Sequence, residues 1–490
     1  MESERMRDVI TLRDFSRADI DTIVQEALTL MHQGSVRPMI RRKMASLFFE
    51  PSTRTRVSSE TAGESENFYV NGFAGIEGTS VVKGEPLKDT IGMFEVYGNE
   101  IIVMRHFLQG AARYAADITP VPIINGGDGS NAHPTQGLLD LATIVEAHQK
   151  IDGQKIALVG DLRYSRVAPS NLLGLRHFDI ELWLVSPPGL EMPEWRVKEY
   201  EQATGKKVIT TPNLEEVMKI VDVLEVFRIQ RERFPKGEEG EVQFRKAAGI
   251  YQITAEKLRN AHNPNLMVMH PLPRDKNVME ITMDVDDTPH AWFKRQAQIG
   301  MYVRQALYRK ILEEGFEGIP QNHADPPTIY LPLGESRPKT KDTWILNNGT
   351  LIDHLEPGMG YKIAHLLGFD NSNQTAYPVP RLPSVRYGEK DVFVAKDIFL
   401  TPEQLNKIRL VSRTARVDII RDSKIVQKFD PVLPYELTEV VECPNSRCIS
   451  SPEHQEFAPS KFYVESQEPL HLRCHYCEQP IGRREVKLKY

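Results

Sequence analysis

Short apolar runs that pass directly into helix-opening polar segments recur along the chain to about residue 315. The sharpest is Leu47-Phe48-Phe49-Glu50, followed at once by Pro51-Ser52-Thr53-Arg54-Thr55-Arg56. Lys43–Phe49 predicts a short buried strand, and Ser52 is a good N-cap for a helix carrying the Thr-Arg-Thr-Arg run. Ile101–Met104, Val121–Ile124, Lys155–Val159, Ile180–Val185, Val221–Val226 and Leu266–Met269 predict further strands, with a glycine-rich loop at Asn125–Asn131. Helices are expected over Pro134–His148, with proline in the first turn, and over an amphipathic stretch from about Ala291 to Glu314. The alternation predicts two parallel-sheet α/β lobes whose functional groups gather at the strands' carboxyl ends.

At 490 residues the chain exceeds a single core, and about three domains are expected. No apolar run approaches the roughly 18 residues of a membrane helix, and the first residues lack a signal peptide's hydrophobic stretch, so the cytoplasm is the expected location. A formal net charge of −6 argues against nucleic-acid or membrane partners. An anionic ligand must therefore be collected by local Arg and Lys clusters. Residues 316–343, rich in proline, glycine and polar groups, read as a linker. Beyond it Lys390–Ala395 alternates like a strand, and Thr401-Pro-Glu-Gln404 resembles a capping box.

Several predicted strand ends carry donors. Ser52, Thr53, Arg54 and Thr55 offer hydroxyls, guanidinium and helix-start N–H groups to one anion, a phosphate cradle without P-loop glycines. Arg105, His133 with Gln136, Arg166, Arg228 with Gln230, and His270-Pro-Leu-Pro-Arg274 occupy corresponding places. Taken singly, each also fits an ordinary cap or a solvated arginine, and Lys83 fits a mobile surface lysine. Their coincidence implies one cleft rich in arginine and poor in carboxylates, suited to an anionic transition state. A Ser–His–carboxylate arrangement cannot be assembled from these residues, and the Gly160-Asp161 turn lacks a dinucleotide fingerprint.

Ser52-Thr-Arg-Thr55, His133-Pro-Thr-Gln136 and His270-Pro-Leu-Pro-Arg274, in this order and spacing, resemble the transcarbamoylases, and specifically the aspartate carbamoyltransferase catalytic chains, over roughly residues 8–312. Ornithine-specific members typically carry cysteine within the His-x-Leu-Pro motif, where this chain has Pro271. The resemblance implies transfer of the carbamoyl group of carbamoyl phosphate to L-aspartate, in pyrimidine synthesis and without a catalytic metal. Ser52, Thr53, Arg54, Thr55 and Arg105 would hold the phosphate. Thr55, Arg105 and His133 would donate to the carbamoyl oxygen, while Gln136 and the backbone of Leu272 and Pro273 would grip its amide. Arg166, Arg228 and Gln230 would bind aspartate. Ser80 and Lys83 would enter from a neighbouring subunit, making a homotrimer with shared sites the smallest complete enzyme; pairing of trimers would give a hexamer. A transcarbamoylase for another amino acid such as ornithine, or an inactive zinc-lobe scaffold, are the alternatives.

All four cysteines lie near the end, as Cys443-Pro-Asn-Ser-Arg-Cys448 and Cys474-His-Tyr-Cys477 with 25 residues between the pairs. Two such knuckles suit structural zinc in an all-sulfur shell, with disulfides or free thiols as the alternatives, and His471 and His475 are surplus. Residues 344–485 resemble the family's regulatory chain, through Gly349-Thr-Leu-Ile-Asp-His354, Gly360-Tyr-Lys-Ile363 and the first cysteine knuckle. The implied organisation is 1–150 for carbamoyl phosphate (completed by a helix at about 291–315), 151–290 for aspartate, 316–343 linker, 344–432 effector-type α+β lobe and 433–490 zinc β lobe. Asp353, His354, Lys390 and Lys428 match nucleotide-effector positions. A lysine expected four residues after Lys390 is instead Val394, so nucleotide control is expected to be lost.

Overall fold

The computed structural model describes residues 6–229, 244–245, 248–276, 278–319, 325–331, 346–369, 373–385 and 388–489. Contacts divide the chain into two units, residues 1–320 and the bulk of 321–490.

The first unit holds two all-parallel sheets. One comprises β1 (Arg42–Phe48), β2 (Phe68–Ala74), β3 (Ile101–His106) and β4 (Ile123–Asp128), in the order β2-β1-β3-β4. The other comprises β5 (Lys155–Val159), β6 (Glu181–Val185), β7 (Ile209–Thr211), β8 (Val223–Val226) and β9 (Met267–Met269), in the order β7-β6-β5-β8-β9. Helices Pro134–His148 and Phe293–Glu313 tie the two together. Leu138, Leu141, Val303 and Leu307 share one apolar cluster with Met44 and Val103 of the first sheet and Ile156 and Leu158 of the second. Each fully buried Leu or Ile contributes roughly 1.5–3 kcal/mol relative to exposure, so this seam holds the facing strand ends in register.

Two details differ from the sequence reading. Strand β4 continues through Asn125-Gly126-Gly127 to Asp128 instead of ending in a loop, because all six of its residues are buried and the glycines let neighbours close in. A Cβ at Gly127 (φ 117°) would meet the Arg166 side chain at 3.1 Å and the His133 ring at 3.4 Å. The segment 316–343 is not simply a linker either. Phe316 is buried against Phe15, and Ile329–Tyr330 forms a strand on Phe429–Asp430, with the Tyr330 and Phe429 rings 6.3 Å apart. Phe316, fully buried, gains more from packing than a solvated tether offers, while Tyr330 stays largely exposed.

The second unit contains an antiparallel six-stranded sheet with helices Met359–Leu366 and Pro402–Val411, and a separate four-stranded antiparallel sheet over residues 436–482. The expected capping box is present: Thr401 Oγ1 accepts from Gln404 N, and Gln404 Oε1 from Thr401 N. The expected strand spans Gly388–Lys396, but Asp391–Ala395 are buried without alternation. Phe393 and Ala395 join one apolar cluster and Val392 and Val394 another, so both faces of this strand are covered. No described helix is long and apolar enough to cross a membrane.

Candidate active site

Strand order decides what meets at the carboxyl ends. Parallel pairing places Phe48 opposite Arg105, and Phe49 N donates to Arg105 O at 2.8 Å. Glu50 and the Thr53–Ser65 helix therefore start beside Arg105. In the second sheet, a Cβ at Gly160 (φ 111°) would lie 2.3 Å from Phe227 O, so only glycine lets the ends of β5 and β8 close together.

A cleft of about 920 Å³ opens there. Ser52, Thr53, Arg54, Thr55, Arg105, His133, Gln136, Arg166, Leu272 and Pro273 all line it. Arg228 lines an adjoining hollow that shares Arg105, Arg166, Leu272 and Pro273. Ser80 and Lys83 sit in a short helical turn and line neither space. Gln230 lies outside the described residues.

Ser52 occupies the N-cap position with extended backbone, yet its hydroxyl makes no capping bond; it accepts from Arg105 Nη1 at 3.4 Å instead. Glu50, absent from the sequence-derived set, accepts from Arg105 Nε at 2.8 Å and from Arg166 Nη1 at 2.6 Å, linking groups from the two sheets. The expectation of a carboxylate-poor region needs that correction: Glu50 orients two of its cations. Burial, then the charge of Arg166, pushes Arg105 down to about 10 against the pull of Glu50. Burial also lowers Arg54.

His133 opens the Pro134–His148 helix without capping it. Its Nε2 is 3.3 Å from Thr55 Oγ1, and its backbone N–H donates to Ser170 Oγ at 2.8 Å. Burial, followed by the charges of Arg105, Arg304 and Arg166, holds its pKa well below the usual value. At neutral pH it is an uncharged ring, able to donate one hydrogen bond and a poor base. Arg304, also missed, lines the cleft although it is almost fully buried, and donates to Thr135 Oγ1 at 3.2 Å and Gly300 O at 2.6 Å. Its signal in the sequence is a charge set among Val303, Ala306 and Leu307 on the helix's buried stripe.

The ligand atoms of Cys443, Cys448, Cys474 and Cys477 lie within 4.8 Å of one another. Cys443 Sγ and Cys477 Sγ are 3.6 Å apart, and none of the four cysteines is in a disulfide. Tetrahedral zinc with Zn–S bonds near 2.3 Å requires sulfur separations of roughly 3.8 Å, so the four residues fit that ion. His475 Nδ1 instead meets Tyr463 OH at 2.7 Å, and His471 is exposed. Asp353, His354 and Lys390 also converge, with Lys390 Nζ 2.6 Å and His354 Nδ1 3.2 Å from the Asp353 carboxylate. Although burial opposes it, His354 and Lys390 hold that carboxyl well below the usual range. Lys428 faces Asp418 at 3.5 Å, while Val394 is buried.

Comparison with known proteins resolves the family. Residues 7–146 and 152–310 match the carbamoyl-P binding and the Asp/Orn binding domains of aspartate/ornithine carbamoyltransferase. Residues 344–431 and 435–487 match the allosteric and metal binding domains of the aspartate carbamoyltransferase regulatory chain. The catalytic subunit of aspartate carbamoyltransferase from Thermococcus kodakarensis is 48% identical over 305 residues, 61% of this chain and 95% of that one. The chain belongs to the aspartate carbamoyltransferase family. Among solved structures, the catalytic subunit of M. jannaschii aspartate transcarbamoylase superposes with a TM-score of 0.57 at 40% identity, covering 63% of this chain and 98% of that one. The Trypanosoma cruzi aspartate transcarbamoylase in complex with carbamoyl phosphate and aspartate gives 0.57 at 34% identity, covering 64% and 96%. The chain thus joins catalytic and regulatory-type sequences in one polypeptide.

Proposed function

We propose that carbamoyl phosphate binds in the 920 Å³ cleft with its phosphate at Ser52, Thr53, Arg54, Thr55 and Arg105, and that aspartate enters beside it at Arg166, Arg228 and Gln230. The observation that carries this reading is the charge of the cleft. Its described lining includes Arg54, Arg105, Arg166 and Arg304 and no carboxylate. Glu50 offsets only part of that charge from outside the lining, and a phosphate dianion supplies the rest.

The amine of aspartate then attacks the carbamoyl carbon. Thr55, Arg105 and neutral His133 donate to the oxygen as it becomes an oxyanion, and the C–O bond to phosphate breaks. Gln136 and the carbonyls of Leu272 and Pro273 accept from the carbamoyl –NH₂. The departing phosphate takes up the amine's proton. Bidentate guanidinium–carboxylate pairs hold aspartate, with Arg228 facing one of its carboxylates. Residues 1–150 and 151–290 supply the two substrate-binding parts, and 344–432 and 433–490 the effector-type and zinc lobes. Ser80 and Lys83 complete a neighbour's cleft in a homotrimer, which lobe pairing extends to a hexamer, in the cytoplasm.

Assay of carbamoylaspartate formation tests this directly. Activity is expected with aspartate and not with ornithine; ornithine turnover, or none with either amine, overturns the reading. Arg228→Ala is expected to raise the KM for aspartate by about 10-fold or more, the loss of a charge-assisted pair of roughly 1.5–3 kcal/mol, while the KM for carbamoyl phosphate stays within about twofold. An unchanged aspartate dependence would remove Arg228 from the site.

Nucleotide control is expected to be absent. The cations at Lys390 and Lys428 already face Asp353 and Asp418, and Val394 supplies no further charge. Titration with ATP, CTP and UTP should leave aspartate saturation unshifted; a clear displacement of the curve by any of them contradicts this.

A further inference from the structure

Beneath the cleft runs a buried chain of side chains that the mechanism above does not use. Asp140 lies one turn after Gln136 on the Pro134–His148 helix, and Gln136 Nε2 donates to Asp140 Oδ1 at 2.8 Å. Gln296, on the Phe293–Glu313 helix, donates its Nε2 to the same oxygen at 2.7 Å. The Oε1 of Gln296 accepts the backbone N–H of His270 at 2.9 Å, at the start of the His270–Pro273 loop. The same Nε2 stands 3.3 Å from both oxygens of Glu225 on β8. Asp140, Gln296, Glu225 and His270 are each at most 2% exposed.

An amide side chain has two unlike ends, and its partners decide which way it points. The His270 N–H can only donate, so it fixes Gln296 with oxygen toward the loop and –NH₂ toward the carboxylates. An ionised Asp140 can only accept, so it claims the –NH₂ of Gln136 and leaves the Gln136 oxygen for the cleft. We infer that Asp140, backed by Gln296 and Glu225, is a positioning residue that keeps acceptors alone facing the carbamoyl –NH₂, and so selects an amide-bearing acyl phosphate over its methyl analogue. The inference rests on the reading above that Gln136 and the Leu272 and Pro273 carbonyls meet that amide.

Glu225 has a defined part in this arrangement. Two carboxyl groups around one –NH₂ in a dry interior cannot both be ionised. Burial raises both, and the charge of Asp140 raises Glu225 further. Glu225 therefore takes the proton first, and Asp140, which burial raises to about 7 against the pull of Gln296, Gln136, Asn171 and Arg304, is the one of the pair that ionises.

The test compares binding of carbamoyl phosphate, acetyl phosphate (–CH₃ in place of –NH₂) and inorganic phosphate to the full-length enzyme and its variants. Wild type should prefer carbamoyl over acetyl phosphate. Asp140→Leu, which removes the acceptor of both amides, should reduce that preference by about 10-fold or more, since Gln136 is then free to turn, with inorganic phosphate binding unchanged as the sign of an intact site. Gln296→Met, which severs the links to Asp140 and to the His270 loop, should do the same and serves where Asp140→Leu does not fold. Glu225→Gln, which mimics the protonated acid, should keep the preference within about twofold. A wild-type preference in Asp140→Leu or Gln296→Met with phosphate binding intact overturns the inference, and its loss in Glu225→Gln overturns the assignment of the proton. A wild type that makes no carbamoylaspartate, or does not distinguish the two acyl phosphates, sinks the underlying site reading instead.

Discussion

Alanine at Arg54 or Arg105 is expected to lower carbamoylaspartate turnover by about 10²–10³-fold or more, the effect of losing a preorganised donor to an oxyanion. The two act from different places. Arg54 stands in the first turn of the Thr53–Ser65 helix, where unpaired N–H groups already favour an anion. Arg105 ends β3 and is held by Glu50, which also binds Arg166. Removing Arg105 deletes the proposed oxyanion donor and leaves Glu50 to Arg166 alone, so a weaker grip on aspartate should accompany the loss of turnover. Arg105→Lys should not restore activity, because one ammonium cannot reproduce a fork that reaches Glu50 and the substrate together. Turnover within tenfold of wild type in either alanine variant, measured at saturating substrates, would discard the site.

Removal of metal is expected to unfold the zinc lobe and leave the rest of the chain folded. A lobe of this size falls near the limit at which a hydrophobic core suffices. Structural zinc contributes on the order of 10–16 kcal/mol in small zinc-binding peptides, enough to decide the state of such a lobe. One zinc per chain should be found by elemental analysis. Chelation under mild thiol-reactive conditions should release it and open residues 433–490 to protease before the α/β unit is cut. Cys474→Ala, which breaks the second knuckle at the end of strand Leu470–Cys474, should mimic chelation. A metal-free lobe that stays folded and resists protease would refute the zinc assignment.

Local pattern carried much of this chain. The bounds of the Pro134–His148 helix and of strand Lys155–Val159 follow from periodicity and a first-turn proline, because both signals act within a few residues. The four cysteine ligands follow from spacing, because two thiolates a few residues apart can chelate before any tertiary contact forms. The donors of the cleft could be named because parallel strands deliver their carboxyl ends to one edge.

Other features had no local trace. Glu50 reads as an acidic residue after an apolar run; only the pairing of Phe48 with Arg105, and the approach of Arg166 from the other sheet, turn it into the clamp on two guanidiniums. Asp140 and Glu225 belong to separate sheets' surroundings and share a donor only because Gln296 reaches between them from a third element. Asn125–Gly127 has the composition of a turn and becomes strand where β3 and the His133 ring press against it. Residue order was enough for chemistry that needs neighbours along the chain. Groups drawn together across the two sheets depended on strand order and close packing, since electrostatics and hydrogen bonding act over a few ångströms in space whatever the distance in sequence.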